Sequence, residues 1–149
     1  MAEDRRRYAL HGKKDANHRS IEQTCTARGW DVRNIDQGGD LPDLFAAKSR
    51  TVVAIEIKTL SGHLRFGQCL FFSEWPGLAA VVESPMQAWT FLSDPGKYSF
   101  GQKHQRVLTE FCLRWPEPRR GRNQKTFKWS RILEEFTARE ILYPLANIR

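Results

Sequence analysis

The stretch from Pro42 to Lys58, PDLFAAKSRTVVAIEIK, decides how this 149-residue chain folds. It holds two apolar runs, Leu44 to Ala47 and Thr51 to Lys58, joined by Lys48-Ser49-Arg50. Two strand-like runs so closely spaced predict an antiparallel hairpin. The second run carries Val52, Val53, Ile55 and Ile57, the β-branched density of a central strand. Glu56 and Lys58 interrupt and end it. Two apart on a strand, they share one face about 6–7 Å from each other. A buried carboxylate or ammonium is costly unless paired or bound to something. Asp43 opens the neighbouring strand, and strands lie about 4.8 Å apart, so Asp43 and Glu56 can converge on one point.

Upstream, Asp15 to Arg28 reads as a helix ending at Gly29, with Asn17, Ile21 and Cys25 in one stripe. Trp30 to Ile35 alternates like a half-buried strand, and Gly38-Gly39 marks a turn. Downstream, Leu64 to Glu74 carries Leu64, Phe71, Phe72 and Trp75 at helical spacing, and Leu78 to Glu83 is a short apolar strand. Ser84-Pro85 starts a further helix with Met86, Trp89 and Leu92 as its expected buried side. A helical crossover between two strands implies a parallel pair, so the sheet should be mixed, with helices on its faces. Lys103 to Trp115 and Phe127 to Leu142 read as two more helices. The expected organisation is a basic flexible tail (1–14), a core (15–92) and a helical basic C-terminal extension packed on it (93–149).

Two converging carboxylates repel each other. A hard cation such as Mg²⁺ relieves that repulsion, binding oxygen while keeping several waters. Such an ion activates water and polarises a phosphate oxygen. Lys58 on the same face can orient the water or offset transition-state charge. These parts suffice to hydrolyse a phosphodiester. Asp43, Glu56 and Lys58 also read as a strand-end salt bridge, but the glycine turn before Pro42-Asp43 and the apolar strand before Glu56 favour catalysis.

With those residues in view, the stretch resembles the PD-(D/E)XK nuclease superfamily. It is most similar to the VRR-NUC branch and to small phage-encoded nucleases akin to Holliday-junction resolvases. The matching residues are Asp15-Ala16-Asn17, Ile21, Gly29 and Val32, then Gly39, Pro42-Asp43-Leu44 and Glu56-Ile57-Lys58, then Leu64, Gln68, Trp75 and Gly77. The resemblance implies a restriction-endonuclease-like α/β fold. It implies metal ligation by Asp43, Glu56 and the Ile57 carbonyl, with Mn²⁺ able to replace Mg²⁺, and Lys58 as the catalytic lysine. Gln68 becomes a polar group beside the active site, although it also reads as a solvent-facing amide at the stripe's edge. One departure stands out. The superfamily often adds a glutamate from the first helix, where this chain has Asn17, which fits weak or water-mediated metal contact, or a helix-start hydrogen bond, equally well. The Ser61-Gly62-His63 connection is also shorter than in many relatives.

Charge fits this reading. Lys and Arg outnumber Asp and Glu by 24 to 17, a net charge of +7 that attracts polyanions. Arg5 to Arg7, Arg65, and Arg119, Arg120, Arg122 and Lys125 are candidate phosphate contacts on DNA. Cys25, Cys69 and Cys112 form no Cys-x-x-Cys pair and His11, His18, His63 and His104 lack zinc spacing, which excludes a zinc finger and fits buried thiols in a reducing compartment. No secretory signal or membrane-length apolar run is visible. The expectation is a metal-dependent DNA endonuclease in the cytoplasm of a bacterial or phage-infected cell. It would act on branched, flap or junction DNA, as a homodimer by the resemblance, with no organic cofactor and no membrane. Two alternatives are a non-catalytic DNA-binding module on the same fold and a sequence-specific homing or restriction-type endonuclease.

Overall fold

Val53, Ala54, Ile55 and Glu56 are all buried, so the strand they belong to has no solvent face along its middle. In the computed structural model, which describes residues 16–35, 40–114 and 126–148, that strand is β3 (Thr51–Ile57). It lies inside a four-stranded sheet of order β1 (Asp31–Asn34), β2 (Leu44–Lys48), β3, β5 (Leu78–Val82). β2 runs antiparallel to both β1 and β3, whereas β3 and β5 are parallel, so the sheet is mixed. A parallel neighbour requires a crossover, supplied by β4 (His63–Arg65) and α2 (Phe66–Glu74).

The β2–β3 connection is two residues, Ser49 and Arg50, with Lys48 paired to Thr51. Both have positive φ, 49° and 68°, as in the type I′ turn whose twist suits paired strands. Neither is Asn or Gly, the residues that hold this conformation with least strain. Combining Ser49→Asn with Arg50→Gly should therefore raise the unfolding free energy by about 1 kcal/mol, net of glycine's extra chain entropy. A higher urea midpoint would bear this out; an unchanged one would mean that the turn stores no strain.

Helix α1 (Ala16–Ala27) buries Ile21 and Cys25 fully. It ends in a Schellman motif, with Gly29 at φ 86°, its N–H on the Thr26 carbonyl and the Trp30 N–H on Cys25. Against α1 packs α3 (Pro85–Ser93), started by the Ser84 hydroxyl accepting from the Gln87 N–H. Its buried side differs from the sequence expectation. Met86 and Trp89 are exposed, and Gln87, Ala88, Phe91 and Leu92 face inward. Gln87 can enter because its amide is consumed, accepting from the Glu83 N–H and donating to the Ile148 carbonyl. Trp89 stays outside under the Arg28 guanidinium, 4.0 Å from the ring centre.

Phe45 lies opposite Ala54 and meets the rings of Phe71 and Trp75, which puts α2 on the sheet face that also carries Glu56. After the single-turn α4 (Pro95–Tyr98) comes α5 (Gln102–Arg114), which packs behind α2, with the buried Cys69 thiol donating to the Leu108 carbonyl. All three cysteines are buried and free.

Two helices start later than the sequence suggests. Leu64 and Phe127 pair across a small antiparallel sheet of β4 and β6 (Thr126–Lys128), and both are buried. That pairing holds residues 63–65 and 126–128 extended, so α2 begins at Phe66 and α6 (Trp129–Ala138) at Trp129. The C-terminal third is thus not wholly helical. It also closes the outer edge of β5. The Phe100 N–H and the Ser99 hydroxyl bond the backbone of Ala79, and the Tyr143 hydroxyl takes the N–H and carbonyl of Val81. Phe100, Trp129, Phe136, Tyr143 and Leu145 join Ile21, Leu44 and Ile55 in one hydrophobic core. The tail 1–14 and the basic segment 119–125 lie outside the described residues. Among the described residues no helix is long and apolar enough to cross a membrane.

Candidate active site

The β2–β3 ladder pairs Leu44 with Ile55, and one step further sets Asp43 against Glu56. There the two carboxylates take over from the backbone ladder. The Asp43 N–H donates to Glu56 Oε1 at 3.0 Å, and the Ile57 N–H donates to Asp43 Oδ2 at 2.8 Å. The acidic pair therefore sits on one face, at the point where β2 and β3 part.

Glu56 is fully buried. Its Oε2 accepts from Gln68 Nε2 at 2.9 Å and lies 3.0 Å from Lys58 Nζ. Gln68, also buried, is fixed at its other end, where Oε1 accepts from the Arg65 N–H at 3.0 Å. The amide that interrupts the stripe of α2 thus spans from the start of its own helix to the sheet. Lys58 is held in line because its N–H continues the parallel ladder onto the Val82 carbonyl.

Burial, reinforced by the neighbouring Asp43 charge and opposed by Lys58, pushes the Glu56 carboxyl up to about 8. A carboxyl so displaced is one that a nearby cation would return to its ionised form. Asp43 and Glu56 are the carboxylates that could share a hard divalent ion here. An ionised carboxylate offers about four lone-pair sites, and among the described residues the donors on Glu56 number three. Among the described residues no group of three or more His, Cys, Asp or Glu side chains is arranged to hold a metal. Two carboxylates with water completing the shell is the manner of Mg²⁺ rather than of zinc.

A cavity of about 320 Å³ opens onto this point, lined by Asn17, His18, Asp43, Ile57, Lys58, Thr59 and Arg65. Asp43, Ile57, Lys58, Asn17 and Arg65, all singled out from the sequence, meet there, with Glu56 and Gln68 buried behind. Asn17 Nδ2 donates to the Glu83 carbonyl, 66 residues away, tying α1 to the end of β5. Arg119, Arg120, Arg122 and Lys125 lie outside the described residues. Sequence reasoning missed His18, whose Nε2 is 2.9 Å from Glu22 Oε1 and 3.1 Å from Asn34 Oδ1. The i,i+4 spacing of His18 and Glu22 was the available signal. A separate cavity of about 350 Å³ lies among Leu133, Phe136, Glu140, Ile141 and Tyr143. No family model, curated protein or solved structure matches this chain.

Proposed function

We propose that the chain is a divalent-metal-dependent DNA endonuclease acting at the cavity lined by Asp43 and Lys58, with Glu56 behind it. The single observation that carries this reading is the cross-strand meeting of Asp43 and Glu56, with Lys58 on Glu56 and an open cavity in front. Asp43 and Glu56 would hold Mg²⁺ or Mn²⁺, with the Ile57 carbonyl at the same wall. When bound, the ion supplies electrophilic activation of a scissile phosphate and of water. Gln68 keeps the Glu56 carboxylate aimed, since a side chain bonded at both ends cannot swing. Lys58, a fifth exposed, can reach the cavity from Glu56 and place its ammonium against charge that develops on the phosphate oxygens. Arg65 at the rim attracts and orients the phosphate backbone.

The test is a cleavage panel of plasmid, linear, flap and four-way-junction DNA with Mg²⁺ or Mn²⁺, and Asp43→Ala as control. Metal-dependent nicking or cutting that vanishes in the variant is the expected result. Intact substrate across the whole panel would sink the proposal.

A second reading, a DNA-binding module without catalysis, draws on the same donors. Glu56 is already partnered by the Asp43 N–H, the Gln68 amide and the Lys58 ammonium. Tight DNA binding with no divalent-ion binding would favour it.

A further inference from the structure

The β4–β6 ribbon pairs His63 with Lys128, Leu64 with Phe127 and Arg65 with Thr126. Directly opposed residues share a face, and faces alternate along each strand. Leu64 and Phe127 point inward together. His63, Arg65, Thr126 and Lys128 point outward together, and all four are exposed. Every one of them is a hydrogen-bond donor and none is acidic. Among the described residues, neither Arg65 nor Lys128 makes an ion pair. Arg65 also lines the cavity of Asp43 and Lys58, so this donor face begins at the candidate active site. The Trp129 N–H on the Gly62 carbonyl fastens the ribbon at its other end.

We propose that the outward face of this ribbon is a rail for the phosphates of duplex DNA beside the scissile bond, with Arg65 and Lys128 as its two charged contacts. The proposal rests on the nuclease reading of the cavity. Single-strand binding grooves stack bases on exposed aromatic rings. The outward face here carries no Phe, Tyr or Trp, and the ribbon's one such ring, Phe127, is turned into the core. Alternate residues stand about 6.7 Å apart along a strand, so the flexible cations reach successive backbone positions without reading bases.

Phosphate contacts register in the salt dependence of affinity, each adding about 0.9 to the slope of log K against log salt on duplex DNA. Anisotropy of a labelled duplex, measured without divalent ions between about 50 and about 200 mM salt, reads that slope. Lys128→Gln and Arg65→Gln should each reduce it by about 0.9, and the double variant by about 1.8. Lys103→Gln, which removes the same charge from an exposed position on α5, should leave it unchanged. Unaltered slopes in the ribbon variants, an equal fall in Lys103→Gln, or a fall confined to single-stranded DNA would each overturn the rail. Hydrolysis plays no part in this measurement. Reduced slopes in a protein that never cuts DNA would sink the nuclease reading and leave the rail, whereas cutting with unaltered slopes would sink the rail alone.

Discussion

Asp43→Asn should slow DNA cleavage by about a thousandfold, the several kcal/mol that an ion supplies to transition-state charge, while the fold survives. The amide oxygen of asparagine can still accept the Ile57 N–H that Asp43 Oδ2 now takes at 2.8 Å, so no buried donor is orphaned. What disappears is the Asp43 charge that faces Glu56 at the end of the β2–β3 ladder. Without it the repulsion that helps to raise Glu56 is gone, and the Glu56 carboxyl moves back toward its ordinary value. In the absence of divalent ions the variant should therefore be at least as stable as the parent above pH ~7. Lost activity together with kept or raised stability marks a residue retained for function rather than for folding. Cleavage rates and urea midpoints, measured side by side, check both halves; a variant that cuts at the parental rate refutes the assignment.

Lys58→Met should have the largest effect on stability, and that effect should depend on pH. The ammonium of Lys58 is bonded to a carboxylate that has no exposure to water. Breaking a buried pair by removing one partner costs about 3–5 kcal/mol when the remaining charge is trapped. Glu56 has an escape, which is to keep its proton. Its folded pKa of about 8 lies above the ordinary 4.5, so on unfolding it releases a proton between those values. Stability is then highest below the lower value and falls as pH rises toward the upper one. Removing Lys58 takes away an influence that holds Glu56 down, so the fall continues to higher pH. The variant should lose about 1 kcal/mol near pH 5, where Glu56 is neutral, and about 2 kcal/mol near pH 8.5. Glu56→Gln should flatten the pH dependence in both backgrounds. Urea unfolding across that range tests this, and parallel curves for parent and Lys58→Met would contradict it.

The mixed sheet was legible because its signals are local. The β-branched run of β3, the short polar turn before it and the Ser84-Pro85 helix start each operate within a few residues. The β4–β6 ribbon was not, because each of its strands is three residues long and shows no period. Leu64 and Phe127 each precede a genuine helix, so each was absorbed into that helix's apolar pattern. Only contact between segments more than sixty residues apart reveals them as strands. The buried face of α3 was misread for a related reason. Gln87 outranks Trp89 for the interior because its amide has partners from residues 83 and 148, which no helical spacing can show. At the site, Asp43, Glu56 and Lys58 stood out because charges in or beside a buried strand break the apolar pattern. His18 broke no pattern; its place at the cavity depends on how α1 sits beside β1, where Asn34 receives it. Asn17 was marked, but its tether to Glu83 was not foreseeable.

Calorimetric titration of Mn²⁺ into the DNA-free protein asks the central question without relying on any substrate. Two acidic side chains brought together by strand pairing should yield a single saturable site per chain, lost in both Asp43→Asn and Glu56→Gln. No detectable binding to the parent, or an identical isotherm in either variant, would contradict it.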